Sequence, residues 1–217
     1  LREQFSRLGG TPYTLRHMVD DTAGVLDALG VARCHVVGLS MGGMIAFQLA
    51  ADHPERVRSL VIVNSGPELV AHSLADRLRI WQRLLLARLF NPERTASFLG
   101  PRLFPKPEQA QLREMFIAQW AQNDPQAYRA AMRALVGWSV LDRVSRIACP
   151  TLVISGDRDY TPPATKAAYV AMMPNARLVV LADSGHATPI DQAGRFNDCV
   201  LAFLASVAAP ERDEERV

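Results

Sequence analysis

The chain has 217 residues, of which 49% are hydrophobic and 21% charged. That suits one packed domain, or one domain with a large insertion, and excludes wholesale disorder. Thirteen glycines and fourteen prolines exclude collagen-like and low-complexity chains, and a net charge of +2 from 24 basic and 22 acidic residues gives no basic stripe to demand nucleic acid or an anionic membrane.

Leu15, Met18, Val19, Thr22, Val25, Leu26 and Leu29 recur at helical spacing. They predict a helix over 14–29 that stops at Gly30. A short buried strand over 35–39 follows, then a helix over 41–52 rich in Ala, Leu and Met. Residues 57–63, which end in the continuous apolar run Leu60-Val61-Ile62-Val63, read as a strand of a parallel sheet covered on both faces.

Residues 66–146 differ in texture. An amphipathic helix is predicted over 74–90. Asn91-Pro92 and Asp124-Pro125 are cap-plus-proline starts for two more helices, the second running through 136. Prolines 101, 105 and 107 predict a loop over 101–107, and a helix is predicted over 108–122. No strand pattern occurs in this stretch, so it reads as a helical insertion of about eighty residues. The alternation then resumes, with strands over 151–154 and 177–181, helices over 163–172 and 190–205, and a charged, frayed tail over 211–217. Strand–helix alternation implies a mostly parallel sheet with flanking helices and right-handed crossovers. The predicted division is a core of 1–65 and 147–217 and a helical insertion of 66–146.

The longest apolar runs, such as Leu84-Leu85-Leu86, are far too short to span a membrane. Cys34, Cys149 and Cys199 are distant and odd in number, so they predict neither a disulfide framework nor a zinc site. Buried thiols in a reducing compartment, the cytoplasm, are the expectation.

Gly38-Leu39-Ser40-Met41-Gly42 lies between a predicted strand and a predicted helix. This is the form G-x-S-x-G, in which a sharp turn strains the serine backbone and exposes its hydroxyl above the sheet. Gly38 and Gly42 are expected where a side chain would strike the neighbouring strand and helix. The Met41 N–H, at the start of the helix, is placed to bind a developing oxyanion. A phosphate-binding loop would need a lysine before the serine, and a dinucleotide fingerprint would need glycine at position 40.

A serine hydroxyl needs a base. Of five histidines, His17 reads as solvated on a helix face, His35 sits at the far end of the serine strand, His53 closes a helix, and His72 falls in the insertion. His186, in Asp183-Ser184-Gly185-His186, follows the carboxyl end of a strand, where functional groups gather in such sheets. Asp157 and Asp159 also follow a strand end, and either can orient the imidazole. Asp183 stands too close in sequence to His186 to reach around it.

These residues resemble the α/β-hydrolase superfamily in its lidded branch of small esterases, lactonases, C–C hydrolases and cofactor-free haloperoxidases. The resemblance rests on four ordered segments: Gly38 to Met44, His53-Pro54-Glu55-Arg56-Val57, Pro150 to Asp159, and Ser184-Gly185-His186. The enol-lactonase group is similar through Gly38 to Ala46 and Thr161-Pro162-Pro163. The resemblance implies Ser40, His186 and Asp159 (not Asp157) as catalytic residues, residues 66–146 as a lid, and no metal or organic cofactor. Trp81, Phe98, Phe104, Trp120 and Trp138 are candidate walls of an apolar pocket.

The implied activity is hydrolysis of a small ester or lactone. C–C cleavage and peracid formation on the same residues, or a non-catalytic binding module, are the alternatives. The family pattern also implies earlier strands and a His-Gly-type loop with a second oxyanion donor. Only about a dozen residues stand there, without that motif. The expectation is an N-terminally incomplete copy, or a chain whose open sheet edge is covered by a partner such as a second copy.

Overall fold

The computed structural model describes residues 13–208. Helix α1 (Leu15–Ala28) starts on Thr14, whose hydroxyl accepts the His17 N–H. Strand β1 (Cys34–Leu39) leads through Ser40 into α2 (Met41–Asp52), and a short 3₁₀ turn, Pro54–Arg56, delivers β2 (Val57–Val63). Four helices follow: α3 (Leu74–Leu89), α4 (Pro92–Leu103), α5 (Ala110–Trp120) and α6 (Pro125–Leu135). Then come β3 (Thr151–Gly156), α7 (Pro163–Val170), β4 (Ala176–Leu181), the single turn α8 (Thr188–Asp191) and α9 (Ala193–Ala208).

The four strands form one parallel sheet in the order β1-β2-β3-β4. Val37 pairs with Val61, Val61 with Leu152 and Leu152 with Arg177. Successive side chains point to opposite faces. Leu60 and Ile62 of β2 and Val153 of β3 therefore pack with Phe47 and Leu49 of α2 and with Tyr169 of α7. Val61, Val63, Leu152 and Ile154 face the other way, against Phe203 of α9. Covering on both faces explains why the middle of the sheet reads as the unbroken apolar runs Leu60-Val61-Ile62-Val63 and Leu152-Val153-Ile154. The result is the α/β architecture expected, with helices on both sides of a parallel sheet. Among the described residues, no helix is long and apolar enough to cross a membrane.

Local differences from the sequence reading have local causes. α4 continues through Pro101 to Leu103, where a loop was expected. The proline stands in the last turn and removes a single N–H, while Leu103 and Phe104 beyond it are buried and anchor the end. A helix was expected over 190–205, yet the chain breaks at Gln192 between α8 and α9. Asp191 just before the break accepts from Ser184 Oγ and the Gly185 N–H, so this turn is committed to holding the preceding loop. The three thiols are free and half-buried, not fully buried. The 211–217 tail lies outside the described residues.

Candidate active site

Ser40 stands at the carboxyl end of β1 with φ +53° and ψ −118°. A positive φ is strained for a residue with a Cβ, costing on the order of 1–3 kcal/mol that the surroundings must over-determine. They do so from three sides. The Ser40 N–H donates to Val63 O at 2.9 Å, while its carbonyl accepts from the Gly43 N–H at 2.9 Å and from Ser65 Oγ at 2.7 Å. A Cβ on Gly38 would lie 2.3 Å from Gly42 O, a backbone atom that cannot step aside. Gly42 is a correction: a Cβ there would meet open space, and the close approach belongs instead to Gly43, against Ser65 at 2.5 Å. Met41 is the first residue of α2, so its N–H has no partner within the helix.

His186 lies in the loop between β4 and α8, and Asp159 in the loop after β3. His186 Nδ1 and Asp159 Oδ1 are 2.6 Å apart. Burial alone would raise the Asp159 carboxyl. The hydrogen bond and charge of His186, with those of Lys166, outweigh burial and hold it well below the usual carboxylate range. Asp157 points elsewhere and accepts the Ser184 N–H at 2.9 Å. Asp183 is held by Lys106 and Arg158. The tyrosine ring of Tyr160 stacks on the imidazole, centroids 4.4 Å apart and planes inclined by 27°.

Ser40 and His186 line one cavity of about 360 Å³, together with Met44, Leu69, Leu141 and Met172. That volume suits a small organic ligand. Among the described residues no hydrogen bond joins Ser40 Oγ to His186. Such bonds are often long in an unliganded site and tighten once substrate is bound.

Residues 3–193 match the family model described as the alpha/beta hydrolase fold. The chain is 33% identical over 217 residues to a Variovorax paradoxus (strain S110) protein named as a carbamate hydrolase, RutD, covering 91% of this chain and 76% of that one. It is 34% identical over 207 residues to 2-hydroxymuconate semialdehyde hydrolase of Pseudomonas putida, covering 91% and 71%. The crystal structure of the enol-lactonase from Burkholderia xenovorans LB400 matches with a TM-score of 0.81 and 27% identity, over 89% of this chain and 74% of that one. The chain belongs to the α/β-hydrolase family. Like these relatives it is a hydrolase.

Not every residue singled out from the sequence of this α/β-hydrolase reaches the cavity. None of Trp81, Phe104, Trp120 and Trp138 lines it. Trp81 is 58% exposed on α3 beside Arg88 and Arg133. Phe104 is buried against Phe116. Trp120 sits between Phe116 and Tyr128, and Trp138 Nε1 donates to Gln48 Oε1 at 2.6 Å. Phe104, Trp120 and Trp138 each have a partner that competes with exposure to a ligand, as large aromatics in helical layers usually do, whereas Trp81 faces outward. Phe98 lines a separate cavity with Leu99 and Tyr128, which also touches Tyr160.

Three residues that sequence reasoning passed over shape the site. Buried Asn64, at the end of β2 with φ +45°, ties two loops together. Its Nδ2 donates to Gly185 O, His186 O and Thr188 Oγ1, and its Oδ1 accepts the Gly156 N–H at 2.8 Å. A polar residue directly after the apolar run Leu60-Val61-Ile62-Val63 was the available signal. Lys166 reaches Asp159 from α7, signalled only by its place three residues before the inward-facing Tyr169. Tyr160 carried no signal beyond adjacency to Asp159.

Proposed function

We propose that this hydrolase opens a small ester or lactone through a covalent acyl-enzyme on Ser40. The observation that carries the reading is the 2.6 Å contact between His186 and Asp159 in the cavity that holds the strained Ser40. An ionised carboxylate only accepts hydrogen bonds, so Nδ1 carries the imidazole proton and Nε2 of the neutral ring is free to take another. In this reading Nε2 takes the Ser40 proton as Oγ bonds to the substrate carbonyl carbon. The displaced electron pair settles on the carbonyl oxygen, which accepts the Met41 N–H at the positive end of α2. The tetrahedral adduct collapses, the carbon–oxygen bond to the alcohol breaks, and the alkoxide takes its proton from His186. For a lactone the alcohol stays tethered to the acyl group. Water then gives a proton to His186 and attacks the acyl carbon; the bond from that carbon to Ser40 Oγ breaks, Oγ takes the proton back from His186, and the acid leaves.

Residues 66–146 form the lid in this proposal. Glu68, Leu69, Arg83 and Leu141 from this stretch line the cavity, and Lys106 pairs with Asp183 of the core. The match to an enol-lactonase supports the ester or lactone class. The 34% identity to 2-hydroxymuconate semialdehyde hydrolase is the observation behind a second reading, C–C cleavage on the same residues. A panel of aryl esters, lactones and vinylogous diketones separates the two. Treatment with a fluorophosphonate, followed by intact mass and peptide mapping, is expected to give one adduct on Ser40 and none in Ser40→Ala, which also loses turnover. Turnover retained by Ser40→Ala overturns the mechanism.

A further inference from the structure

Behind the Asp159–His186 pair lies a buried cation that no step above uses. The Lys166 side chain is 1% exposed. Its ammonium donates to Asp159 Oδ2 at 2.6 Å, to Thr161 O at 2.8 Å and to Thr161 Oγ1 at 2.8 Å. Three donors meet three acceptors, so the group is satisfied. Thr161 Oγ1 in turn donates to Asp159 Oδ2 at 3.0 Å. Oδ2 is thus held from two sides, and Oδ1 is left with His186 Nδ1.

A neutral donor would satisfy Oδ2 without the cost of taking an ammonium out of water. The charge must therefore do something a neutral donor does not. A carboxylate beside an imidazole favours the protonated ring. A cation on the far oxygen offsets part of that field. At the effective dielectric of protein interiors, a unit charge two hydrogen bonds away still acts appreciably on the ring.

We propose that Lys166 is a positioning residue. It fixes the plane of Asp159 through Oδ2, and it offsets the aspartate charge so that His186 remains a neutral base at lower pH than an uncompensated aspartate would permit. The proposal rests on the reading of His186 as the base. Other groups face the pair as well. Tyr160 stacks on the ring, and Arg83 of α3 and Arg102 of α4 act on that tyrosine. The Tyr169 hydroxyl donates to Ser65 O at 2.9 Å. Asp191 holds the loop through Ser184 and Gly185, and Asp183, Lys106, Arg158 and Asp157 form an exposed cluster below it. None of these groups bonds to Lys166, whose side-chain hydrogen bonds go to Asp159 and Thr161, so differences between variants report on Lys166.

The test compares Lys166→Met, Lys166→Gln and Lys166→Arg with the unaltered chain. The first readout needs no activity: NMR titration of ¹⁵N-histidine-labelled protein, with the His186 signal assigned by its loss in His186→Gln. Lys166→Met and Lys166→Gln are expected to move the His186 midpoint upward by about one pH unit, and Lys166→Arg to leave it near that of the unaltered chain. The second readout is kinetic. The acidic limb of kcat/KM should move up with the midpoint, and kcat on the plateau should fall roughly tenfold in Lys166→Met while KM stays within about twofold. An unmoved midpoint in the two neutral variants overturns the proposal. So does an equal shift in Lys166→Arg, or failure of all three variants to fold, since each assigns Lys166 a purely structural part. If the unaltered chain gives no Ser40 adduct, the reading of Ser40 fails, while the titration still decides the part of Lys166.

Discussion

Asp159 gives one oxygen to His186 and the other to Lys166, whereas Asp157 accepts the Ser184 N–H and lies 3.9 Å from the Arg158 guanidinium. The two residues therefore differ in what their charge supports. Asp159 is held below the usual carboxylate range in the folded chain, because the His186 and Lys166 contacts outweigh its burial. An aspartate in the unfolded chain takes its proton near pH 4. The sign follows: as pH falls through that range the unfolded state binds protons that the folded state refuses, so this contribution is complete above about pH 5 and is lost below it. In Asp159→Asn the urea midpoint should fall less steeply between pH 5 and pH 3 than in the unaltered chain. At pH 7 it should already be lower, because the Lys166 ammonium loses its carboxylate. kcat should drop by roughly 10³–10⁴ in Asp159→Asn and stay within about threefold in Asp157→Asn. Equal losses in the two variants would undo the assignment of the acid.

The turn from β1 into α2 illustrates how an element's geometry decides which glycine matters. A Cβ on Gly38 strikes the backbone of Gly42, whereas one on Gly42 meets nothing within 4 Å. Gly38→Ala is expected to lose roughly 3 kcal/mol or more by forcing the strand and the helix apart. Gly42→Ala should be neutral or gain up to about 1 kcal/mol from helix propensity. Thermal or urea melts of the two variants decide the matter, and a loss in Gly42→Ala would mean that the helix start is tighter than it stands here. The same distinction marks what was legible in the sequence. The bounds of α2 and β2 were readable because an Ala- and Leu-rich helix and an apolar strand declare themselves locally. The strained serine, His186 and a carboxylate after β3 were readable because each ends or follows a strand. Pro101 within α4, the break at Gln192, Asn64 as a tie between two loops and Lys166 under Asp159 depend on partners tens of residues away, so no local pattern encodes them. The tryptophans misled for the same reason. A large apolar side chain looks alike in a sequence whether it meets a ligand or another ring.

Taken whole, the described sheet has two inner strands, β2 and β3, and two edges, β1 and β4. β3 is buried along its length and β2 at every residue but Arg58, whereas β1, which delivers Ser40, pairs among the described strands on one side only, with β2. Val37 in the middle of β1 is 51% exposed. Among the described residues, the outer row of N–H and C=O groups on this parallel strand meets no other strand, and such an edge beside an exposed valine is a template for another strand. We propose a second copy of this chain as one such strand donor, meeting edge to edge at β1. Its signature is a weight-average mass in sedimentation equilibrium that rises with protein concentration. Val37→Lys places a charge on this edge strand without touching the buried faces of β2 and β3, and natural edge strands use lysine in this way to prevent pairing. The variant should remain monomeric over the same concentrations and keep the thermal midpoint within about 2 °C, since an exposed substitution changes stability by no more than about 0.5 kcal/mol. A chain that is monomeric at every concentration before substitution, or that associates equally after it, would show that β1 is not where copies meet.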